Sequence, residues 1–110
     1  MRIVVQRSGP SKVSVKDQIV GEISHGLVLL VCLEKGDTQE TLIKAAKKIL
    51  NIRLFNDPET GKMNLNIDQV KGEILAISQF TLSWKGEKGN RPGFDQSMPL
   101  EEAEKMFNLF

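Results

Sequence analysis

The run Gly26-Leu-Val-Leu-Leu-Val-Cys-Leu33 contains no polar side chain other than one thiol. Uninterrupted apolar residues rich in branched side chains cannot alternate between core and water. The run therefore predicts a strand buried on both faces, central in its sheet. The rest of the chain must supply its cover.

Residues 2–7 and 12–16 are rich in valine and isoleucine and flank Ser8-Gly9-Pro10-Ser11, a pattern that predicts a hairpin, and Ile19–Ile23 supplies a further short strand. Beyond the central run, Asp37 or Thr38, answered three residues later by Glu40 or Thr41, forms a capping signature. It opens a helix in which Leu42, Ala45, Ala46, Ile49 and Leu50 share one face, while Lys44, Lys47 and Lys48 point elsewhere as on an ordinary solvated face. Asn56-Asp57-Pro58-Glu59-Thr60-Gly61 is dense turn chemistry leading to MNLNI, and Glu73–Leu82, EILAISQFTL, predicts the longest strand. The final segment places Pro99 in a first helical turn, Glu101 and Glu102 at the positive end of the dipole, and Leu100, Ala103, Phe107 and Phe110 in one stripe. Strands, helix, strands and helix in that order predict a single α+β domain over residues 1–110. Its core would be a mainly antiparallel, barrel-like sheet, with one long helix and a C-terminal helix.

Charge and motif content narrow the chemistry. Fifteen cations against 14 anions leave a net charge of +1, so no global field draws nucleic acid and any polyanion site must be local. The single cysteine, Cys32, excludes an internal disulfide and suits a reducing compartment, the cytoplasm being the simplest. No apolar run approaches the roughly 20 residues needed to span a bilayer. The one histidine, His25, lies at a turn apart from any serine, cysteine or acidic motif, and CxxC, HExxH, GxxxxGK[ST] and GxGxxG patterns are absent. No metal and no cofactor are expected, so an enzyme built on this chain would run a reaction that asks little of side chains.

Residues 77–92, ISQFTLSWKGEKGNRP, change character halfway. As a strand, Ser78, Phe80 and Leu82 would face one side and Gln79, Thr81 and Ser83 the other. On residue types alone this is an ordinary half-solvated strand entering a loop. Trp84, Lys85, Lys88 and Arg91, spaced by Gly86 and Gly89, also offer the stacking, charge and close backbone approach of an RNA contact.

SQFTL at 78–82, KGNRPGF at 88–94, VVQR at 4–7, and KILNIRLFND with GKMN at 48–64 closely resemble, in order and spacing, the D-aminoacyl-tRNA deacylase family, also called D-tyrosyl-tRNA deacylase. The resemblance implies a cytoplasmic homodimer that hydrolyses the ester joining a D-amino acid, or mischarged glycine, to the terminal adenosine of tRNA as a proofreading step. It implies that Ser78, Gln79, Phe80 and Thr81 line the catalytic site, with backbone amides near Phe80 and Thr81 as oxyanion donors and Gln79 positioning the substrate. Thr81 is either a nucleophile or a positioning group, with the RNA's own 2′-hydroxyl orienting water in the second case. Lys85, Lys88 and Arg91 would bind phosphates at the tRNA acceptor end. Family members continue to a Gly-Pro-Val-Thr strand whose cis glycine-proline reaches the partner subunit's site and screens chirality. Nothing in these 110 residues matches it, and Gly9-Pro10 lies in the first turn. The expectation is thus a C-terminally shortened deacylase, the alternative being a relative that binds tRNA without turnover.

Overall fold

The computed structural model describes residues 1–110. The central run becomes β4 (Gly26–Cys32), flanked by β1 (Arg2–Ser8) on one side and β7 (Glu73–Ser78) on the other. β1 pairs antiparallel from Arg2↔Cys32 to Ser8↔Gly26, and β7 pairs parallel from Gly26↔Glu73 to Val31↔Ser78. Leu27, Leu29 and Val31 on one face are fully buried, as is Cys32, whereas Val28 and Leu30 on the other face are only partly buried, so the expected burial on both faces is met on one. Two ribbons complete the strands, β2 (Ser11–Val15) with β3 (Gln18–Ile23) and β5 (Phe55–Asn56) with β6 (Met63–Leu65), both antiparallel. The α+β class with mainly antiparallel pairing is therefore found. No ladder closes into a barrel, and the β4–β7 pair adds a parallel crossover that the order of elements did not announce.

The hairpin expected between the first two strands is corrected. β1 leaves at Ser8 to pair with β4, and the hairpin joins β2 to β3 across Lys16 and Asp17, both at positive φ (50° and 63°). That two-residue turn matches strand twist, but it lacks the Asn-Gly or Asp-Gly that makes such turns visible in a sequence.

Helix α1 (Gln39–Asn51) starts at Thr38, whose hydroxyl accepts from the Thr41 amide while Thr41 Oγ1 accepts from the Thr38 amide, the expected reciprocal cap. Ile49 is buried against β4 and Leu42 against Leu33 and Met98, whereas Leu50, expected on the same face, is half exposed. Helix α2 (Leu100–Leu109) follows Pro99 and turns Ala103, Met106 and Phe107 onto Leu33, Leu42 and Met98. Leu100 departs from the expected stripe and stands in solvent. No helix is long and apolar enough to cross a membrane.

The candidate active site

β7 ends at Ser78, and this corrects the expected ten-residue strand. The Gln79 amide makes the last rung, to Val31 O at 2.7 Å, the next carbonyl, Leu33 O, accepts from Met98 N–H instead, and Phe80–Ser83 closes into a single 3₁₀ turn. The predicted alternation of faces therefore fails after Ser78, and Phe80 and Thr81 become successive corners of one turn. As its first two amides, neither Phe80 N–H nor Thr81 N–H donates to a backbone carbonyl.

Beneath the turn lies Cys32, whose thiol donates to Phe80 O at 3.5 Å and to Leu33 O at 3.7 Å. Burial, with the Glu34 charge, holds this thiol above its usual range, so it stays protonated and acts as a donor, not a nucleophile. Thr81 Oγ1 accepts from Gln79 Nε2, which fixes both side chains together. The amide of glutamine is no base, and His25 lies at the opposite end of β4, about 20 Å away at strand rise. His25 Nε2 pairs there with Val70 O at 3.0 Å. Thr81 thus has an anchoring partner and no proton acceptor.

Two cavities adjoin this turn. One, about 380 Å³, is lined by Ser78, Phe80, Phe94, Ser97, Met98, Leu100 and Ala103. The rings of Phe80 and Phe94 meet edge to face, centroids 5.2 Å apart and planes at 83°, a geometry that favours aromatic contact. The far wall is held by Lys35 N–H donating to Gln96 O at 2.9 Å and Met98 N–H to Leu33 O at 3.0 Å. No ionisable side chain lines the cavity, and Gln79 and Thr81 are not part of its lining, so it suits a planar apolar group and holds no acid or base.

The other cavity is a polar cleft of about 420 Å³, whose lining includes Ser83, Trp84, Lys85, Lys88 and Arg91. The structure therefore places Ser78, Gln79, Phe80 and Thr81 together at one turn and gathers Lys85, Lys88 and Arg91 in a neighbouring cleft. Sequence alone does not single out Phe94, Ser97 or Cys32 as site residues. Phe94 belongs to the quoted KGNRPGF segment, but only the fold brings it to Phe80; Ser97 and Cys32 carried no signal. No group of three or more His, Cys, Asp or Glu residues could hold a metal.

Comparison with known proteins agrees with the motif reading. The family model described as D-Tyr-tRNA(Tyr) deacylase matches residues 4–110. The D-aminoacyl-tRNA deacylase of Geobacter sp. (strain M21) is 46% identical over 110 residues, covering all of this chain and 73% of that protein. Its counterpart in Marinomonas sp. (strain MWYL1) is also 46% identical, with 76% of that protein covered. Among solved structures, the c-Myc DNA Unwinding Element Binding Protein superposes with a TM-score of 0.91 at 37% identity, over 98% of this chain and 72% of that one. A probable eukaryotic D-amino acid tRNA deacylase shares the fold at a TM-score of 0.76 and 19% identity, over 97% and 62% respectively.

Proposed function

The chain belongs to the D-Tyr-tRNA(Tyr) deacylase family, and on that premise we propose that it hydrolyses the ester of D-aminoacyl-tRNA, releasing the D-amino acid and the tRNA. The observation that carries the proposal is the match along the whole chain to D-aminoacyl-tRNA deacylases.

The local chemistry is compatible with that reaction. An aminoacyl ester is already activated, so positioning and stabilisation of the developing oxyanion supply most of what is needed. In this reading the terminal adenosine enters the Phe80–Phe94 cavity and the ester carbonyl faces the free amides of Phe80 and Thr81. Water adds to the carbonyl carbon, the acyl C–O bond breaks, and the ribose oxygen leaves with the proton that water gives up. Gln79 and Thr81 hold the substrate, and the ribose 2′-hydroxyl orients the water, since Thr81 has no base beside it. Lys85, Lys88 and Arg91 take phosphates of the acceptor end, which sets register without selecting the amino acid. Homodimer formation, a cytoplasmic location and acceptance of glycyl-tRNA belong to the same proposal and rest on the family resemblance.

The test is hydrolysis of matched D- and L-aminoacyl-tRNA by the purified chain. Release from the D-ester with little action on the L-ester is expected. Stable tRNA binding with no release of D-amino acid would overturn the proposal in favour of a binding relative.

A further inference from the structure

Ser83 is only 2% exposed, and its Oγ is the one buried side-chain oxygen or nitrogen in the protein without a hydrogen-bond partner. Buried hydroxyls are rarely left so, and this one belongs to the lining of the polar cleft. On the same wall Trp84 is half exposed, backed by Gly86 at φ +69°, where an added Cβ would stand 3.8 Å from the indole Cζ2. Lys85, Lys88 and Arg91 share the cleft with Glu87 and Asp95, yet none of the five enters an ion pair. The cleft therefore offers an aromatic face, three free cations and two free carboxylates, with the unpartnered Ser83 hydroxyl buried in its wall. A bare phosphate would use only part of that set.

The cleft and the Phe80–Phe94 cavity are lined by neighbouring residues of the same two segments, 80–83 and 93–98. Phe80, Phe94 and Ser97 face one, while Ser83, Gly93, Asp95 and Gln96 face the other. We propose that the cleft is a nucleotide subsite for the unpaired residue preceding the terminal adenosine, an inference that rests on the deacylase reading. The base stacks on Trp84, its exocyclic amino group or the ribose hydroxyl donates to Glu87 or Asp95, and the connecting phosphodiester meets Lys88 and Arg91 and takes the hydrogen bond of Ser83 Oγ. A protein that reads two consecutive unpaired nucleotides holds the acyl end by its strand and leaves the aminoacyl group free of contacts that would fix its identity.

Trp84 is the only tryptophan and the chain has no tyrosine, so its emission reports on the cleft alone. The probes are the dinucleotide cytidylyl-3′,5′-adenosine and adenosine, each titrated into the full chain with calorimetry in parallel. The dinucleotide is expected to quench Trp84 with an affinity that falls with salt at a log–log slope of about −0.7, that of one phosphate. Adenosine binds without quenching and without salt dependence. Trp84→Ala raises the dinucleotide Kd about tenfold, the effect of one lost stack, and Ser83→Ala raises it less; both variants leave the adenosine Kd in place. Absence of dinucleotide binding, or binding that leaves Trp84 emission and the Trp84→Ala affinity unaltered, overturns the subsite. Hydrolysis of D-aminoacyl-tRNA is scored on the same sample. Turnover with a silent Trp84 sinks the subsite alone, whereas quenching without turnover sinks the deacylase reading and keeps the nucleotide cleft.

Discussion

Thr81 has a hydroxyl at the candidate turn and nothing beside it to take its proton. Its one side-chain partner, Gln79 Nε2, is a donor. Thr81→Ala is therefore expected to fold normally and to lose no more than about tenfold in turnover, the scale of one hydrogen bond. Loss of about 10⁴-fold or more, with tRNA binding intact, would instead identify a nucleophile. Single-turnover hydrolysis of D-aminoacyl-tRNA separates the two. At this scale, what could be read in advance was contiguous: Ser78, Gln79, Phe80 and Thr81 form one phrase, and the turn keeps them together. Phe94 and Cys32 reach the same place from 14 and 48 residues away (94 − 80 and 80 − 32), and no local pattern encodes such meetings.

Between elements, the decisive junction is β4 with β7. The apolar run announced β4 and its central position between β1 and β7, although only the Leu27–Leu29–Val31 face is fully buried. The end of β7 was not announced, since ISQFTL has the composition of a strand throughout. The ladder with β4 ends at Val31↔Ser78 and the next carbonyl, Leu33 O, is taken by Met98 N–H, a contact made by another part of the chain. At the other end of the junction, Gly26 sits at φ +144°, and a Cβ there would lie 1.9 Å from Glu73 O. Gly26→Ala is expected to cost about 3 kcal/mol or more, through strain and a clash with backbone, read as a fall in the denaturant midpoint. Glu73 secures the same corner by accepting from Ser24 N–H at 3.1 Å and Ser24 Oγ at 2.9 Å, and these bonds lower its pKa from an ordinary 4.5. A lowered folded-state pKa means stability that is present above the unfolded value and is lost as pH falls through the folded one. The Tm advantage of wild type over Glu73→Gln should accordingly be full at neutral pH and shrink below pH 4.5. A pH-independent difference between the two Tm curves contradicts this account.

Over the whole molecule, a net charge of +1 makes the polar cleft the place where salt sensitivity should reside. Lys88→Ala is expected to weaken tRNA binding and to flatten the log–log salt slope by about 0.7 to 0.9; a slope identical to wild type in filter-binding titrations would remove Lys88 from the contact. Charge balance was legible from composition, but the gathering of Lys85, Lys88 and Arg91 around one cleft was not, because it depends on how the loop folds back past Gly86 and Gly89.

The last rung that holds the candidate turn joins Val31 to Gln79, residues 48 apart (79 − 31), across the crossover that carries α1. Helix α1 and the β2–β3 hairpin are local and can form early, whereas closing so long a loop must precede the rung. If the proposed site is the working one, hydrolysis is expected to appear late in the folding of each new chain. Far-ultraviolet circular dichroism should recover ahead of hydrolysis in a refolding trace, and simultaneous recovery would contradict that order. A half-assembled chain would have its helix and hairpin in place while remaining unable to cut an aminoacyl ester.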